Sequence, residues 1–340
     1  MKIISLLFGI FAGCISVPFA CAADYTWNGG NASWTDSGAW LLDGSSADWI
    51  NGNTALFRTG STLTVGSGIS ASGLLYEGAA VTLNGGSLTL AGSASGSNGG
   101  SATLSGTALT LNSTNQEDGW TVRDTSLSGS STLTKTGNGT VALSGTHTAN
   151  GAWNINEGTL VFTGTRDITG GGQINIASGA VLDASGGRLF HAANYASNWE
   201  QPTITLNGGT LKLNQFGYNS ASLGCLQNNF YALKFSSGTT SRVVISQGYE
   251  SGGTGSRGIY IAGWGTTAVI ELGANQTFTW SSSNGQNFDS IVCESGAGSA
   301  LQLDVGENSV FNFDQKFANK NTANEYGAPT TSNFSGLSLI

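Results

Sequence analysis

Residues 133–160 read LTKTGNGTVALSGTHTANGAWNINEGTL, in which short alternating apolar and polar runs follow glycine- and asparagine-containing turns. Alternation with a period of two residues is typical of a β-strand with one face in the core and the other in solvent. A run of four or five residues cannot bury its apolar face alone. The segment therefore predicts short strands that depend on neighbouring copies of the same unit.

The glycine-led strand recurs along the chain. Gly139, Gly158 and Gly179 begin consecutive copies and lie 19 and 21 residues apart, and related copies begin at Gly86, Gly106, Gly209 and Gly306. Stacking such units as parallel strands about 4.8 Å apart buries their apolar faces continuously, with Leu143, Leu160 and Leu182 pointing inward. No helical pattern supplies a crossover, which favours a β-solenoid. A β-sandwich or propeller of short strands is the alternative.

The composition agrees with an all-β chain. Glycine accounts for 52 of the 340 residues, charged residues for 9 %, and there are only 3 prolines. Long helices and coiled coils are disfavoured because strong helix formers are scarce. Collagen is excluded because glycine has no three-residue period, and the 39 % hydrophobic content argues against disorder.

The charge pattern argues against a nucleic-acid partner, and few residues of the types used in catalysis are present. Twelve Lys and Arg against twenty Asp and Glu give a net charge of −8, without a basic stripe, so we expect no nucleic-acid partner. With only 2 histidines and no regularly placed aspartate, we expect no metal site, no cofactor and no catalytic residues.

The N-terminus predicts export. Residues 1–22 have a positive start, an apolar stretch and the small-x-small sequence Ala20-Cys21-Ala22, which together are typical of a signal peptide. A membrane anchor is one alternative, and a lipoprotein processed before Cys14 is another. We expect the mature chain to lack a transmembrane segment and to be extracellular, at the cell surface or in the periplasm.

The mature chain divides into three parts. Residues 23–58 contain Trp27, Trp34, Trp40 and Trp49 and predict an N-terminal aromatic-rich cap over the first coil, with exposed sugar-binding aromatics as the alternative. We expect the β-helix over 59–318, with its best repeat at 133–160, and a polar C-terminal tail over 319–340.

Residues 188–235 contain a second group of aromatics, and insertions into repeats often form a binding face. We take Tyr195, Trp199, Glu200 and Tyr218 as possible ligand contacts, because this group combines aromatic platforms with a carboxylate. Core aromatics under a long loop are the alternative.

Other reactive residues are few. A two-carboxylate hydrolase needs its acids about 5–9.5 Å apart, and Glu117, Asp118 and Asp124 meet that only if their segment coils back. A solvated loop is the favoured interpretation, and His147 is likewise predicted to be solvated in a turn. In an oxidising compartment Cys225 and Cys293 form a possible disulfide, or they are two separate buried thiols.

Residues 133–160 resemble the autotransporter-associated, or passenger-associated, β-strand repeat of bacterial surface proteins. The resemblance is carried by Lys135-Thr-Gly-Asn-Gly-Thr140 and by Asn156-Glu-Gly-Thr-Leu160, with departures at His147, Ala149 and Trp153. It implies a right-handed parallel β-helix in which these segments form successive strands. It also implies an exported bacterial protein of the cell surface or outer membrane.

The function that follows is a structural or adhesin-like, passenger-like solenoid without catalysis. The alternative is a carbohydrate-binding or carbohydrate-active β-helix protein. For either function we expect the partner to be a host or bacterial surface glycan or protein. Residues 300–340 lack the alternating ten-residue strands of a membrane barrel. We therefore expect either a free secreted or periplasmic monomer or a truncated passenger fused to a missing C-terminal barrel.

Overall fold

The computed structural model describes residues 22–28, 30–114, 119–166, 172–189, 203–213, 232–245, 258–261, 267–272, 274–275, 277–281, 290–293, 299–314, 316–319 and 337–339. Every regular element in these ranges is a β-strand. They accordingly contain no helix of the length and apolar character needed to cross a membrane.

The strands are short, and most have three to six residues. In chain order they are β1 (Asp24–Trp27), β2 (Trp40–Leu42), β3 (Ser45–Ala47), β4 (Asn53–Phe57), β5 (Ser61–Thr64), β6 (Ile69–Glu77), β7 (Ala80–Asn84), β8 (Ser87–Leu90), β9 (Ala94–Ser97), β10 (Ser101–Ser105), β11 (Ala108–Asn112), β12 (Trp120–Val122), β13 (Thr125–Ser128), β14 (Thr132–Thr136), β15 (Thr140–Leu143), β16 (Thr146–His147), β17 (Trp153–Ile155), β18 (Thr159–Phe162), β19 (Thr165–Arg166), β20 (Gln173–Ile176), β21 (Val181–Ala184), β22 (Thr203–Leu206), β23 (Thr210–Leu213), β24 (Ala232–Phe235), β25 (Thr240–Ile245), β26 (Gly258–Ile261), β27 (Thr267–Leu272), β28 (Thr277–Ser281), β29 (Ser290–Cys293), β30 (Ser299–Val305), β31 (Val310–Asp314), β32 (Lys316–Asn319) and β33 (Leu337–Leu339).

Most of these strands form three parallel stacks, while β2 and β3 pair antiparallel beside β1, and β28 and β31 form a separate parallel pair. The first stack contains β1, β4, β6, β9, β12, β15, β18, β21, β23, β25, β27, β30 and β33. The second begins with the N-terminal part of β6 and continues through β8, β11, β14, β17, β20, β22, β24, β26, β29 and β32. The third contains β5, β7, β10 and β13, followed by the separate pair β16 and β19. Each coil from β5 to β21 adds one strand to the third, second and first stacks in turn, which makes the fold a parallel β-helix.

The register confirms the repeat spacing near 20 residues in the middle of the chain. In the first stack Val141 pairs with Leu160, which pairs with Leu182 one coil later. These partners are 19 and 22 residues apart. The next partner of Leu182 is Leu211, 29 residues further on, so later coils are longer.

The core lies between the three stacks and is built from aligned apolar residues. In the second stack the register partners Leu109, Leu133, Trp153, Ile174 and Ile204 are all buried. The predicted inward residues Leu143, Leu160 and Leu182 are also fully buried, which confirms the alternation inferred from the sequence.

The polar residues of the same strands form outward rows. In the second stack Thr110 pairs with Thr134, and Thr134 pairs with Asn154. The Asn175 side-chain amide donates a hydrogen bond of 2.8 Å to the side-chain oxygen of Asn154. At this position the outward row therefore adds a side-chain hydrogen bond along the stack to those of the backbone ladder.

The N-terminal aromatics form a buried cluster, as predicted for a cap. The strands β1, β2 and β3 pair antiparallel, unlike the stacked coils. The rings of Trp27 and Trp34 lie 5.0 and 4.9 Å from that of Trp40, and the Trp40 indole N–H donates to the Trp34 carbonyl at 2.8 Å. Since all three indoles are buried, they are not exposed platforms for sugar rings.

We expect Leu160→Ala to lower the free energy of unfolding by roughly 2–5 kcal/mol, because it leaves a cavity in the core. The matched control is Val161→Ala at the adjacent, half-buried outward position, which should cost less than about 1 kcal/mol. Chemical denaturation measures both. Equal losses in the two variants would contradict the assigned inward and outward faces.

Candidate functional site

A buried lysine lies at the centre of residues 133–162. Lys135 is on β14 and occupies an inward position, where its register partners are Leu111 and Ile155. Its charged side chain is fully buried in a row whose neighbouring members are apolar. The Nζ atom donates to the backbone carbonyls of Thr136 at 3.0 Å, Gly137 at 2.7 Å and Glu157 at 3.0 Å. The ammonium group thus has three acceptors, which is what a buried lysine requires.

These acceptors belong to two successive coils. Thr136 ends β14 and Gly137 begins the turn to β15, whereas Glu157 lies at the equivalent turn between β17 and β18. The Glu157 carboxylate also accepts a hydrogen bond of 2.8 Å from the backbone N–H of Gly137. Two hydrogen bonds therefore connect the coils, and Glu157 accepts both, one at its backbone carbonyl from Lys135 and one at its carboxylate from Gly137.

The electrostatics of this centre favour a structural role for the amine. Burial lowers the pKa of Lys135 to about 8, and the nearby Glu157 charge partly opposes this. An amine with a lowered pKa is sometimes a nucleophile. Here its donors are directed at backbone carbonyls and its side chain is enclosed by the core, so it has no access to a substrate.

The glycines of the segment are required by the close approach of the two turns. Gly158 has a φ of +63°, and a Cβ added to it would lie 2.5 Å from the carbonyl oxygens of both Gly137 and Gly139. Gly137 itself has a φ of +74°, and its added Cβ would lie 2.4 Å from the Ser113 carbonyl oxygen. Any other residue at these positions would push successive coils apart.

Residues 133–162 match the family model described as Passenger-associated-transport-repeat. The chain carries a passenger-associated-transport-repeat. This finding confirms the resemblance based on the Lys135 and Glu157 segments, and the repeat family indicates an exported or surface protein. No curated protein and no solved structure matches the chain.

The passenger-associated-transport-repeat also contains a buried imidazole, which corrects a prediction. His147 was expected to be solvated in a turn, but it is fully buried on β16. Its ring lies 5.7 Å from the rings of both Trp153 and Phe162. The physical reason is that Trp153 on β17 and Phe162 on β18 face the imidazole from the second and first stacks, which places the ring in the interior of the coil.

An arginine completes this cluster. Arg166 is buried on β19, its guanidinium carbon lies 4.7 Å from the centre of the Trp153 ring, and one terminal nitrogen donates to the Gly151 carbonyl at 2.8 Å. A cation over an indole face is attracted by the negative face of the ring. Trp153 departs from the small polar residue usual in the family, and here it is the aromatic partner of this arginine.

A row of charged residues on the first stack was missed by the sequence analysis. Lys212 lies 3.5 Å from the Asp183 carboxylate, and Arg242 bridges Glu271 at 2.5 Å and Asp304 at 3.2 Å. The five side chains are 22–45 % exposed, so solvent screens these ion pairs and each contributes little stability. The two carboxylates share the single positive charge of the arginine.

Several predicted site residues lie outside the described residues, namely Tyr195, Trp199, Glu200, Tyr218, Cys225, Glu117 and Asp118. Cys293 ends strand β29, and its pairing stays a prediction. Asp124 lies in a turn with a φ of 56°, where its carboxylate accepts the Gly96 N–H at 3.0 Å. Within the described ranges, no group of three or more His, Cys, Asp or Glu residues is arranged to hold a metal ion.

We expect Gly158→Ala to destabilise the protein more than Gly179→Ala. Both glycines have a positive φ, but an added Cβ at Gly179 meets nothing within 4 Å. Gly179→Ala should therefore cost only the about 1–2 kcal/mol of a left-handed alanine. Gly158→Ala should cost about 1–3 kcal/mol more, because backbone carbonyls must move. Denaturant unfolding provides the comparison, and equal costs would show that the two turns are not in close contact.

The buried lysine should make stability depend on pH in the alkaline range. Folding lowers the pKa of Lys135 from 10.5 to about 8, so the unfolded state binds more protons between these values. The free energy of unfolding should consequently rise with pH across this window, by at most about 1.4 kcal/mol per pH unit. The control is Lys135→Met, which keeps a long side chain without the titrating group. Parallel pH curves for the two proteins would refute this assignment.

Proposed function

We propose that the mature chain is an exported bacterial β-helix that acts as an elongated structural or adhesive passenger-like protein without catalysis. The observation that carries the proposal is the position of the passenger-associated-transport-repeat. Its strands β14, β15, β17 and β18 are continuous with the stacks on both sides. The repeat is thus one section of the β-helix, and its strands stack in the same way as those of the neighbouring coils.

The hydrogen bonds and ion pairs of four described carboxylates support a function without catalysis. Glu157 and Asp124 accept hydrogen bonds from backbone N–H groups, which holds turns in place. Glu271 and Asp304 share the guanidinium of Arg242. A glycoside hydrolase needs one carboxylic acid that donates a proton and a second free carboxylate. Acids engaged in turns and ion pairs are poorly suited to either role.

The outward rows support a role in contact with a surface. Thr110, Thr134, Asn154 and Asn175 present uncharged hydroxyl and amide groups along one side of the second stack. Such groups bind by hydrogen bonds and need no reacting side chain. We propose a host or bacterial surface glycan or protein as the partner. The signal peptide at 1–22 is the proposed route across the inner membrane.

The test is an assay of polysaccharide cleavage and a glycan array, both on the secreted chain of residues 23–340. We expect no release of reducing ends from bacterial or host polysaccharides, and we expect binding to cell surfaces to be unchanged in Trp199→Ala. Release that disappears in Glu200→Gln would replace the proposal with a carbohydrate-active enzyme.

A second outcome separates an adhesive rod from a lectin-like module. Glycan binding that is lost in Trp199→Ala but kept in the matched variant Trp120→Ala would place the activity in the 188–235 aromatics. Trp120 is a suitable control because it is partly exposed on β12, within the stacked coils and far along the chain from that region.

A further inference from the structure

The third stack is interrupted at the passenger-associated-transport-repeat. Its strands β7, β10 and β13 pair in continuous register, and β16 pairs with β19. Between β13 and β16 the described backbone forms no ladder pairing. The first and second stacks have no such gap here, because β12 pairs with β15 and β14 pairs with β17.

A side chain closes this gap. The backbone N–H of Leu127 on β13 donates to the Nδ1 atom of His147 at 3.3 Å. The carbonyl of the same Leu127 accepts from the N–H groups of Thr148 at 2.8 Å and Ala149 at 3.1 Å. The imidazole therefore takes the place of the backbone carbonyl that would accept the Leu127 N–H in an unbroken ladder.

The bond requires a neutral imidazole. Since Nδ1 accepts, the ring proton is on Nε2, and no described residue accepts a hydrogen bond from that atom. Burial lowers the pKa of His147 to about 4, the Ser144 carbonyl opposes this, and the Arg166 charge adds to it. Among the described elements packed against the ring, β13, β17 and β18 carry no ionisable side chain and β19 contributes Arg166.

We propose that His147 is an acid-sensitive joint of the β-helix, at which protonation releases β13 from the coil of β16 while the first and second stacks stay paired. A protonated imidazole has two donors and no acceptor, so it cannot hold the Leu127 N–H. It also adds a positive charge to a buried cluster that already contains Arg166, which favours opening to solvent. Neither consequence depends on the proposed function.

The opening should follow the uptake of one proton. In the open state the imidazole regains a pKa near 6.5, so between pH 6 and about pH 4 the open form binds a proton that the closed form lacks. The equilibrium constant for local opening should then rise about five- to sevenfold for each unit by which the pH falls between pH 6 and pH 4. This slope distinguishes one histidine from a general acid unfolding of the rod.

The experiment is amide hydrogen exchange of the mature chain by NMR at pH 6, 5 and 4, corrected for intrinsic exchange rates. The amide of Leu127 reports the joint. The amide of Leu133 is the internal control, because it donates to the Ala152 carbonyl at 3.0 Å in the second stack. We expect the opening constant of Leu127 to rise about five- to sevenfold per pH unit and that of Leu133 to stay constant.

The matched variant is His147→Gln, whose side-chain oxygen accepts the same N–H without titrating. Its Leu127 opening constant should be independent of pH. A parallel rise at Leu127 and Leu133, an unchanged Leu127, or a pH dependence retained in the variant would each overturn the proposal. If His147→Gln does not fold, the comparison of Leu127 with Leu133 in the wild-type protein decides the question alone.

Discussion

The structure depends on backbone hydrogen bonds between successive coils. A strand such as β17 has three residues and buries too little apolar surface to be stable alone. It becomes stable because β14 and β20 pair with it on its two sides and extend the same inward row. The consequence is a structure in which each coil is supported by its neighbours and in which a failure at one coil affects the next.

The close stacking of turns is the second constraint, and it explains the sequence of the passenger-associated-transport-repeat. Turns that stack at the strand spacing leave no room for a Cβ at Gly137 or Gly158. They also bring backbone carbonyls together, and the Lys135 ammonium satisfies three of them. The glycines thus allow the turns to stack closely, and the lysine and the glutamate form hydrogen bonds between the stacked turns.

The sequence correctly predicts which face of a strand is buried, because that depends on local periodicity. It does not predict contacts between residues that lie on different strands of the stacks. Leu143, Leu160 and Leu182 were correctly placed in the core, because alternation fixes the face of a strand without knowledge of its partner. Placing His147 correctly requires knowing that Trp153 and Phe162, which lie on the other two stacks, enclose it. The ion pairs of Arg242 require the register between β25, β27 and β30, and those strands are joined by segments of unequal length. Lys135 carried a usable signal, since it occupies an apolar position of the alternation two residues after Leu133.

Buried polar groups explain how the repeat fixes its register along the strand direction. A slip of two residues between neighbouring coils keeps every inward side chain inward, so apolar alternation alone does not prevent it. Within 133–166 three buried polar side chains each bond to backbone of another segment, namely Lys135 to Glu157, Arg166 to Gly151 and His147 to Leu127. A slip would separate all three from their partners inside the core, and leaving a buried polar group without a partner costs about 1–3 kcal/mol each. The repeat therefore selects one register where rows of leucine and threonine would accept several.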